Sequence, residues 1–464
     1  MGTKMASINK KNIKMNRGSA LVMAMILIVI CSVLAVSMAA ISSANIQVAS
    51  NQHNVGLALA SAESGLEIQR YWLTPVRMPS TTAPANYYST IINALQYDLD
   101  ANGISNIVLN NDGSIEPVSL ESFTGQTFTG QISPDPCNYT LLHVYSTGGN
   151  GQVIRTIKVD FDIEPYKHPI FNYGLATRGP LNFTGNPTIT AVNSSWEADM
   201  YIESPSDLTA VTVGGNLNFA GDIEIGNPAA AVDFAGDVLI GGEHGTPAVT
   251  NHVTIGSEPV DFPTPDVDRF EKYATGDLID ESLDLSTYTN ILVNCKIAPN
   301  TNPVFPKSVK IQGILFIKSP NIVTFTNNVA LEGMIVADGD ISNPGTNRID
   351  ILGNFASGPY PAGPEFDEIR SEQGSSIIAP AFAMSFQGNF STLEGVVAVN
   401  GVVFSGNVNA IIKGTIINYS DTPMVIEGNA VMNFDRMATT KIPAGFDTLR
   451  VLTYKPSSYE EVAF

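Results

Sequence analysis

From Ser19 to Ala44 no side chain carries a charge, and Ala20 to Ile30 is an almost unbroken row of Leu, Val, Met, Ile and Ala. A run of that length spans a bilayer as a helix. Past Ile41 the pattern turns amphipathic, with Ile41, Val48, Val55, Leu59, Ala62 and Leu66 at helical intervals and Asn51, Gln52, Asn54, Glu63 and Gln69 between them. One helix from Ser19 to about Tyr71 is expected, about 80 Å long at 1.5 Å per residue. Gly56 and Gly65 weaken it.

The next segment mixes periods. Tyr87 to Leu99 reads as a helix ending at Asn102-Gly103, followed by short Thr-rich strands between Val118 and Ile132. Tyr139 to Ser146 and Val153 to Ile163 alternate apolar and polar residues around Gly148-Gly149-Asn150-Gly151, a hairpin signal. Residues 76–166 therefore predict a small α+β head.

From about His168 the chain becomes rich in Gly, Asn, Val, Ile and Phe. Ile311-Gln312-Gly313-Ile314, Leu331-Glu332-Gly333-Met334, Leu393-Glu394-Gly395-Val396 and Ile412-Lys413-Gly414-Thr415 share one pattern, an apolar residue, a polar one and glycine before a strand. With weaker copies included, Gly313, Gly333, Gly353, Gly374, Gly395 and Gly414 recur every 19 to 21 residues. That period is one coil of a parallel β-solenoid, with glycine at a corner and each coil stacked on the last. A second motif places an apolar residue two before Gly-Asn/Asp, at Phe183, Phe219, Phe234, Phe386, Phe404 and Ile426. Its apolar residue should enter the core while Gly-Asn/Asp makes the turn. The rival architecture is a β-sandwich, whose single strands look alike. Pro263 to Pro306, with a short helix at Asp266 to Tyr273, interrupts the pattern as an insertion.

Charge sets an orientation. Lys4, Lys10, Lys11, Lys14 and Arg17 precede the apolar run, and the first acidic residue is Glu63. Lys10, Lys11, Lys14 and Arg17, with nothing basic close behind, predict an N-terminus in the cytoplasm and the remainder outside. Without those five positive charges the formal −20 of the chain becomes −25. So acidic an ectodomain repels nucleic acid and anionic lipid, and no nucleic-acid partner is expected.

Arg17-Gly18-Ser19-Ala20-Leu21-Val22 with its apolar helix, followed by Ala58-Leu59-Ala60-Ser61-Ala62-Glu63-Ser64-Gly65-Leu66, resembles the N-terminal region of PilX-type minor pilins of type IV pili and the related large pseudopilin of type II secretion. The resemblance covers about the first 75 residues. It implies removal of a short basic leader by a prepilin peptidase, with the scissile bond at Gly18–Ser19, and a helix that packs among other pilins. Most of the family carries a glutamate five residues past the cut, where this chain has Met23. The large pseudopilin also lacks it, so the resemblance points to an initiating or tip subunit of a bacterial inner-membrane assembly.

Other chemistry is sparse. Cys31 lies in the apolar run, leaving Cys137 and Cys295 as the pair able to bridge outside the membrane; two isolated thiols is the alternative. Asp98, Asp100 and Asn102 open like a calcium loop, yet Leu109 stands where the bidentate acid belongs, and a helix C-terminus closed by Asn-Gly explains the same residues. Asp338, Asp340 and Asp350, or Glu365, Asp367, Glu368 and Glu372, are the acidic groupings within the repeats, and they read as a solvated turn and a charged loop. His53, His143, His168, His244 and His252 show no metal-ligand spacing. No enzyme, cofactor or metal is expected.

The expected organisation is a leader at 1–18, the helix at 19–75, the head at 76–166, a β-solenoid-like ectodomain at 167–435 with its insertion near 263–306, and a tail at 436–464. The expected role is a membrane-anchored pilus subunit, with other pilins as partners and a surface glycan or cell-surface ligand for the solenoid. The alternative is an anchored surface protein with a carbohydrate-binding or polysaccharide-lyase-like solenoid.

Overall fold

In the computed structural model the described residues are 17–121, 125–206, 208–405, 408–437 and 441–462. The protein is mainly β, with a long N-terminal helix and a large parallel-sheet domain. It divides into two compact units, Met1–Val76 with Ala83–Ile163 and Leu452–Phe464, and Arg77–Thr82 with Glu164–Val451.

Helix α1 is unbroken from Arg17 to Leu73, so Gly56 and Gly65 do not interrupt it. Its first half is exposed on every side, whereas Ala58, Ala62, Leu66 and Leu73 are buried. Small residues set the approach of that second half to the head sheet. A Cβ on Gly65 would sit 2.5 Å from the Phe128 ring, and one on Gly148 would sit 2.1 Å from the Ala58 carbonyl oxygen. The Ala-rich stretch ending in Gly65-Leu66 is thus a packing surface as well as a helical one.

The head sheet is antiparallel and six-stranded. Strands β1 (Arg77–Pro79), β2 (Ser114–Glu121), β3 (Gln126–Pro134), β4 (Leu141–Asn150) and β5 (Val153–Pro165) are joined by the C-terminal strand Leu449–Val462, which lies between β1 and β5. The expected tail is therefore a sheet strand, and the solenoid is inserted in the chain between two neighbouring strands. Helix α2, Tyr87–Ala101, ends where Asn102-Gly103 predicts.

Among the described residues the inserted domain is a stack of nine coils built on sheets of twelve, nine and seven strands, parallel throughout except for the short strand Glu243–His244, which pairs antiparallel at the edge of the seven-stranded sheet. We number the coils in chain order: 1 (175–191), 2 (200–219), 3 (223–240), 4 (291–305), 5 (309–325), 6 (329–358), 7 (375–394), 8 (396–413) and 9 (416–434). Parallel registers such as Ile311↔Leu331 and Ile412↔Leu393 replace the β-sandwich alternative. Inward rungs carry Phe305, Phe325, Ile351, Phe386 and Phe404 in succession, all buried. The twelve-stranded sheet is covered outside as well, by Val260, Phe262, Phe270, Phe366 and Phe446 among others. That double burial explains why Ile314–Ile317 and Val396–Val399 are continuously apolar.

Coil order departs from simple succession. Coils 1 to 3 stack away in one direction, the chain then runs back along the twelve-stranded sheet, and coils 4 to 9 return until coil 9 pairs with coil 1. Leu175 faces Ile416, Phe183 faces Ile426 and Ile189 faces Met432. The expected insertion at 263–306 contains that return run, with a 3-10 turn at Asp268–Tyr273, but its last part is coil 4.

The glycine column is real with one change. Gly333 packs on Gly313, Gly395 on Gly374 and Gly414 on Gly395, each Cβ position falling within 3 Å of the preceding backbone. Gly353 belongs instead to the second corner, where Gly388 packs on it, because coil 6 is lengthened by loops. That corner carries an amide ladder: Asn354 donates its N–H to Asn328 Oδ1 (3.1 Å), Asn389 to Asn354 (3.0 Å) and Asp237 to Asn216 (3.1 Å). Gly221-Asp222 sits at a third corner, where the Asp222 N–H reaches Asp199 Oδ1 at 2.9 Å. Gly406-Asn407 lies outside the described residues.

The column gives a sharp contrast. Gly395, at φ +107° and with its Cβ position 2.9 Å from the Gly374 carbonyl, should lose about 2 kcal/mol or more as Gly395→Ala. Gly358, whose Cβ meets nothing within 4 Å, should lose less than about 0.5 kcal/mol as Gly358→Ala. Urea unfolding of both variants checks it, and equal losses would contradict corner stacking.

Candidate functional site

Two regions carry surface chemistry: the exposed half of α1 and the solenoid where its first and last coils meet. Ala20–Leu73 contains a window of mean hydropathy 2.9 with none of it buried inside the protein. Leu27, Ile28 and Val29 are all more than half exposed. So much apolar surface in water would be costly at about 25 cal/mol per Å², so this half of α1 requires an apolar surround of lipid or other helices. Gly18 is exposed in the first turn of α1. Arg17 and Ser19 fall in the same turn, their side chains outside the described residues, as are Lys10, Lys11 and Lys14 altogether.

The seam between coils 1 and 9 is built from side chains far apart in sequence. Glu197, fully buried, accepts from the backbone N–H of Asn193 (2.8 Å), Arg436 (3.0 Å) and Met437 (3.0 Å). Burial raises its pKa, and the hydrogen bonds from Asn193, Arg436 and Ser194 outweigh that and hold it below the usual range. Arg436 donates to the carbonyls of Asn172 (3.0 Å) and Glu197 (3.2 Å), and also to Phe171. Burial brings its pKa down to about 10. Asn418 donates to Thr177 Oγ1 at 2.9 Å, and Thr415 to the Tyr173 carbonyl at 2.9 Å.

A cavity of about 270 Å³ opens on this seam, lined by Lys167, Phe171, Asn172, Trp196, Asp199 and Arg436. Trp196 is 45% exposed, with the Arg436 guanidinium carbon 5.6 Å from its ring centre. Burial, reinforced by Asp222 and Glu224, pushes the Asp199 carboxyl up to about 6 against the Arg436 charge. None of these residues was singled out from sequence. The visible signal was the capping box Ser194-Ser195-Trp196-Glu197, which the structure forms.

A second groove, about 530 Å³, follows the glycine column and is rimmed by Tyr360, Arg370, Gln373, Glu394, Lys413 and Asp435. Its Lys413 and Glu394 pair at 3.1 Å.

The acidic groupings are engaged in local bonding. Asp338 accepts from the Ser319 N–H (2.6 Å) and pairs with Lys318 (2.9 Å), and Asp340 closes a turn on Ser342 (2.9 Å). Asp350 pairs with Arg348 at 2.6 Å, Asp367 with Arg370 at 3.1 Å, and Glu372 with Arg269 and Tyr273. They do not converge on one point, so the solvated-turn reading of Asp338 is replaced by an ion-paired one. Cys137 is exposed while Cys295 is buried in the solenoid core, its thiol contacting the Val293 carbonyl, and both are free. Two isolated thiols is the alternative that this arrangement matches, with Cys295 facing the core. Asn102 turns its amide nitrogen onto the Asp98 carbonyl at 2.8 Å, and Asp100 accepts from Gln96 at 3.2 Å. These residues close the end of helix α2, the arrangement that the helix-end reading of Asp98, Asp100 and Asn102 expects. In the head, His143 is held between Asp160 (2.7 Å) and Asp135 (3.1 Å), an arrangement its spacing did not reveal. Among the described residues no group of three or more His, Cys, Asp or Glu could hold a metal ion.

An exposed apolar helix running into a helix-on-sheet head is a pilin-like arrangement, and the helix fits a membrane-anchored protein. Residues 17–67 match the PilX N-terminal family, so this stretch is similar to the N-terminal region of PilX-type minor pilins. Among solved structures, the competence-associated pilin ComZ from Thermus thermophilus aligns over 88% of this chain and 97% of its own, at 14% identity and TM-score 0.29. The DUF3494 domain of an ice-binding protein from Shewanella frigidimarina aligns over 59% of this chain and 99% of its own, at 11% identity and TM-score 0.22. Among curated proteins there is no match.

Asp199 has a measurable signature. It is protonated more readily folded, near 6, than at its ordinary 3.8, so its ionisation subtracts stability as pH rises through that window. Asp199→Asn should raise stability at pH 7 by about 1–2 kcal/mol, less than the full shift because solvent reaches the carboxylate. The gain should shrink as pH falls below about 6 and vanish below about pH 3, where both folded and unfolded Asp199 are protonated. Thermal unfolding at the two pH values checks it, and a gain that persists in acid would contradict the assignment.

Proposed function

We propose that this chain is a minor pilin that joins a type IV pilus or related filament through α1 and displays its solenoid outside the membrane for assembly, tip or adhesion roles. The observation that carries the reading is the division of α1, whose first half is apolar and exposed while its second half is buried on its own head. A helix serving only the head would need only its second half. Met23, in place of the glutamate most pilins carry, suits an initiating or tip position. The basic residues Lys10, Lys11, Lys14 and Arg17 favour insertion from the bacterial cytoplasmic side, with cleavage between Gly18 and Ser19.

Leu27→Lys places a charge in the middle of the exposed stretch and should cost about 3 kcal/mol on insertion, abolishing incorporation. Co-purification with sheared pili measures it, and normal incorporation would sink the reading. The mass of the native chain separates the pilin from a surface protein whose helix is only an anchor: the pilin begins at Ser19, the anchor retains Met1.

We further propose that the solenoid binds rather than catalyses, because Asp338 and Asp340 are each held by their own partners rather than aimed at a shared point. Asp338→Asn with Asp340→Asn should leave pilus function intact. Removing the Lys318 pair should change stability by at most about 1 kcal/mol. A glycan-cleaving activity in the native chain that disappears in this double variant would overturn the proposal.

A further inference from the structure

The seam cavity has a composition that the stack does not require. Closing coil 9 on coil 1 uses Glu197, Thr177, Asn418 and the guanidinium of Arg436, all turned to backbone or to each other. Trp196 is different: beside its contact with the Arg436 guanidinium, it is a large aromatic left 45% exposed at a concavity. Asp199 is different too. One of its oxygens serves the Asp222 N–H, yet the carboxylate is partly withdrawn from water next to Asp222 and Glu224, an arrangement that works against stability. Carboxylates held in clefts at such a cost concentrate at binding and catalytic sites.

The lining also sorts by chemistry. Trp196 offers an apolar face, Asp199 an acceptor, Lys167 a donor, and Asn172 either one. An aromatic face with a few convergent polar groups recognises a molecule that is apolar on one side and ringed by hydroxyls, which is the form of a pyranose. The cavity volume of about 270 Å³ falls just below the roughly 300–1,000 Å³ of drug-sized sites, so it takes one sugar ring rather than a chain segment. Asp199 disfavours a sugar carboxylate, and the Arg436 charge is directed to the carbonyls of Phe171, Asn172 and Glu197.

We infer that the cavity beside the seam, lined by the segments flanking coil 1 and by Arg436 after coil 9, is a binding site for a neutral hexopyranose unit of a surface glycan, with Trp196 as its stacking platform and Asp199 as its hydroxyl acceptor. This rests on the adhesive display proposed above and names its ligand class. The solenoid contacts the glycan at its seam, where the segments flanking coil 1 meet the chain leaving coil 9.

The chain has two tryptophans, Trp72 and Trp196, so Trp72→Phe leaves Trp196 as the sole emitter. The full-length chain in detergent would be titrated with the methyl glycosides of glucose, galactose, mannose and N-acetylglucosamine, and with glucuronate. The expected result is a saturable change in Trp196 emission with at least one neutral glycoside, at about millimolar affinity for so few contacts. Asp199→Asn should weaken it at least tenfold while the fold is retained. Trp196→Ala, with Trp72 restored, should lose retention on beads carrying that sugar while unfolding at an unchanged temperature. No saturable response to any neutral glycoside, a response to glucuronate alone, or binding indifferent to both variants would overturn the inference. Pilus incorporation is read separately. A chain that enters pili and binds no sugar defeats the pocket alone, whereas one that binds sugar and never enters pili defeats the pilin reading alone.

Discussion

The parallel pairing of coil 1 with coil 9 is the interaction on which the solenoid depends. Parallel strands leave a row of N–H and C=O groups on each edge, and an unpaired buried row costs about 1–3 kcal/mol per group. The two coils cancel this for each other through Leu175↔Ile416, Leu181↔Met424 and Val431↔Thr188. Without that closure the domain would be two short stacks, each with an open apolar end. Glu197 secures the junction by accepting backbone donors from both sides, so one buried carboxylate ties the start of the domain to its finish.

The same economy of small residues operates in both units. Glycine columns let successive coils approach until a Cβ would strike the carbonyl of the coil below, as Gly333 does over Gly313. In the head, Gly65 and Gly148 let α1 lie close on the sheet, which fixes the second half of the helix and leaves the first half extended. Close packing at one end of α1 is thus what makes a bare apolar surface available at the other.

Much of this was legible in the sequence, for local reasons. The apolar run, the helix end at Asn102-Gly103 and the hairpin near Gly148-Gly151 each follow from residues next to one another. The solenoid was legible because stacking forces a repeated glycine. The assignment of Gly353 failed because loops within coil 6 happened to keep a twenty-residue spacing while moving that glycine to the other corner. Coil order was not legible: Leu175-Ala176-Thr177 and Ile416-Ile417-Asn418 carry the same strand signal as every other rung, and nothing local says that they pair. The seam cavity was hidden for the same reason, since Trp196 and Arg436 meet only after closure. Of its features only the capping box at Ser194 and Glu197 had a local signature.

Coil order also explains how so large a domain can be inserted where it is. The chain leaves β5 and returns to a strand that is its immediate neighbour in the head sheet. A solenoid whose nine coils followed one another would start and finish at opposite ends, about 40 Å apart at 4.8 Å per coil, and its exit could not reach that neighbour without a long return. Starting in the middle of the stack removes the difficulty. Coil 1 is entered through Ile170 and Phe171, coil 9 is left through Arg436, and the two routes touch where Arg436 binds the Phe171 carbonyl and where Phe171 and Phe446 meet at 5.2 Å. Tyr166 then donates to the Leu449 carbonyl at 2.9 Å as the chain rejoins the head. Insertion between adjacent strands and closure of first coil on last are therefore one constraint on the path of the chain.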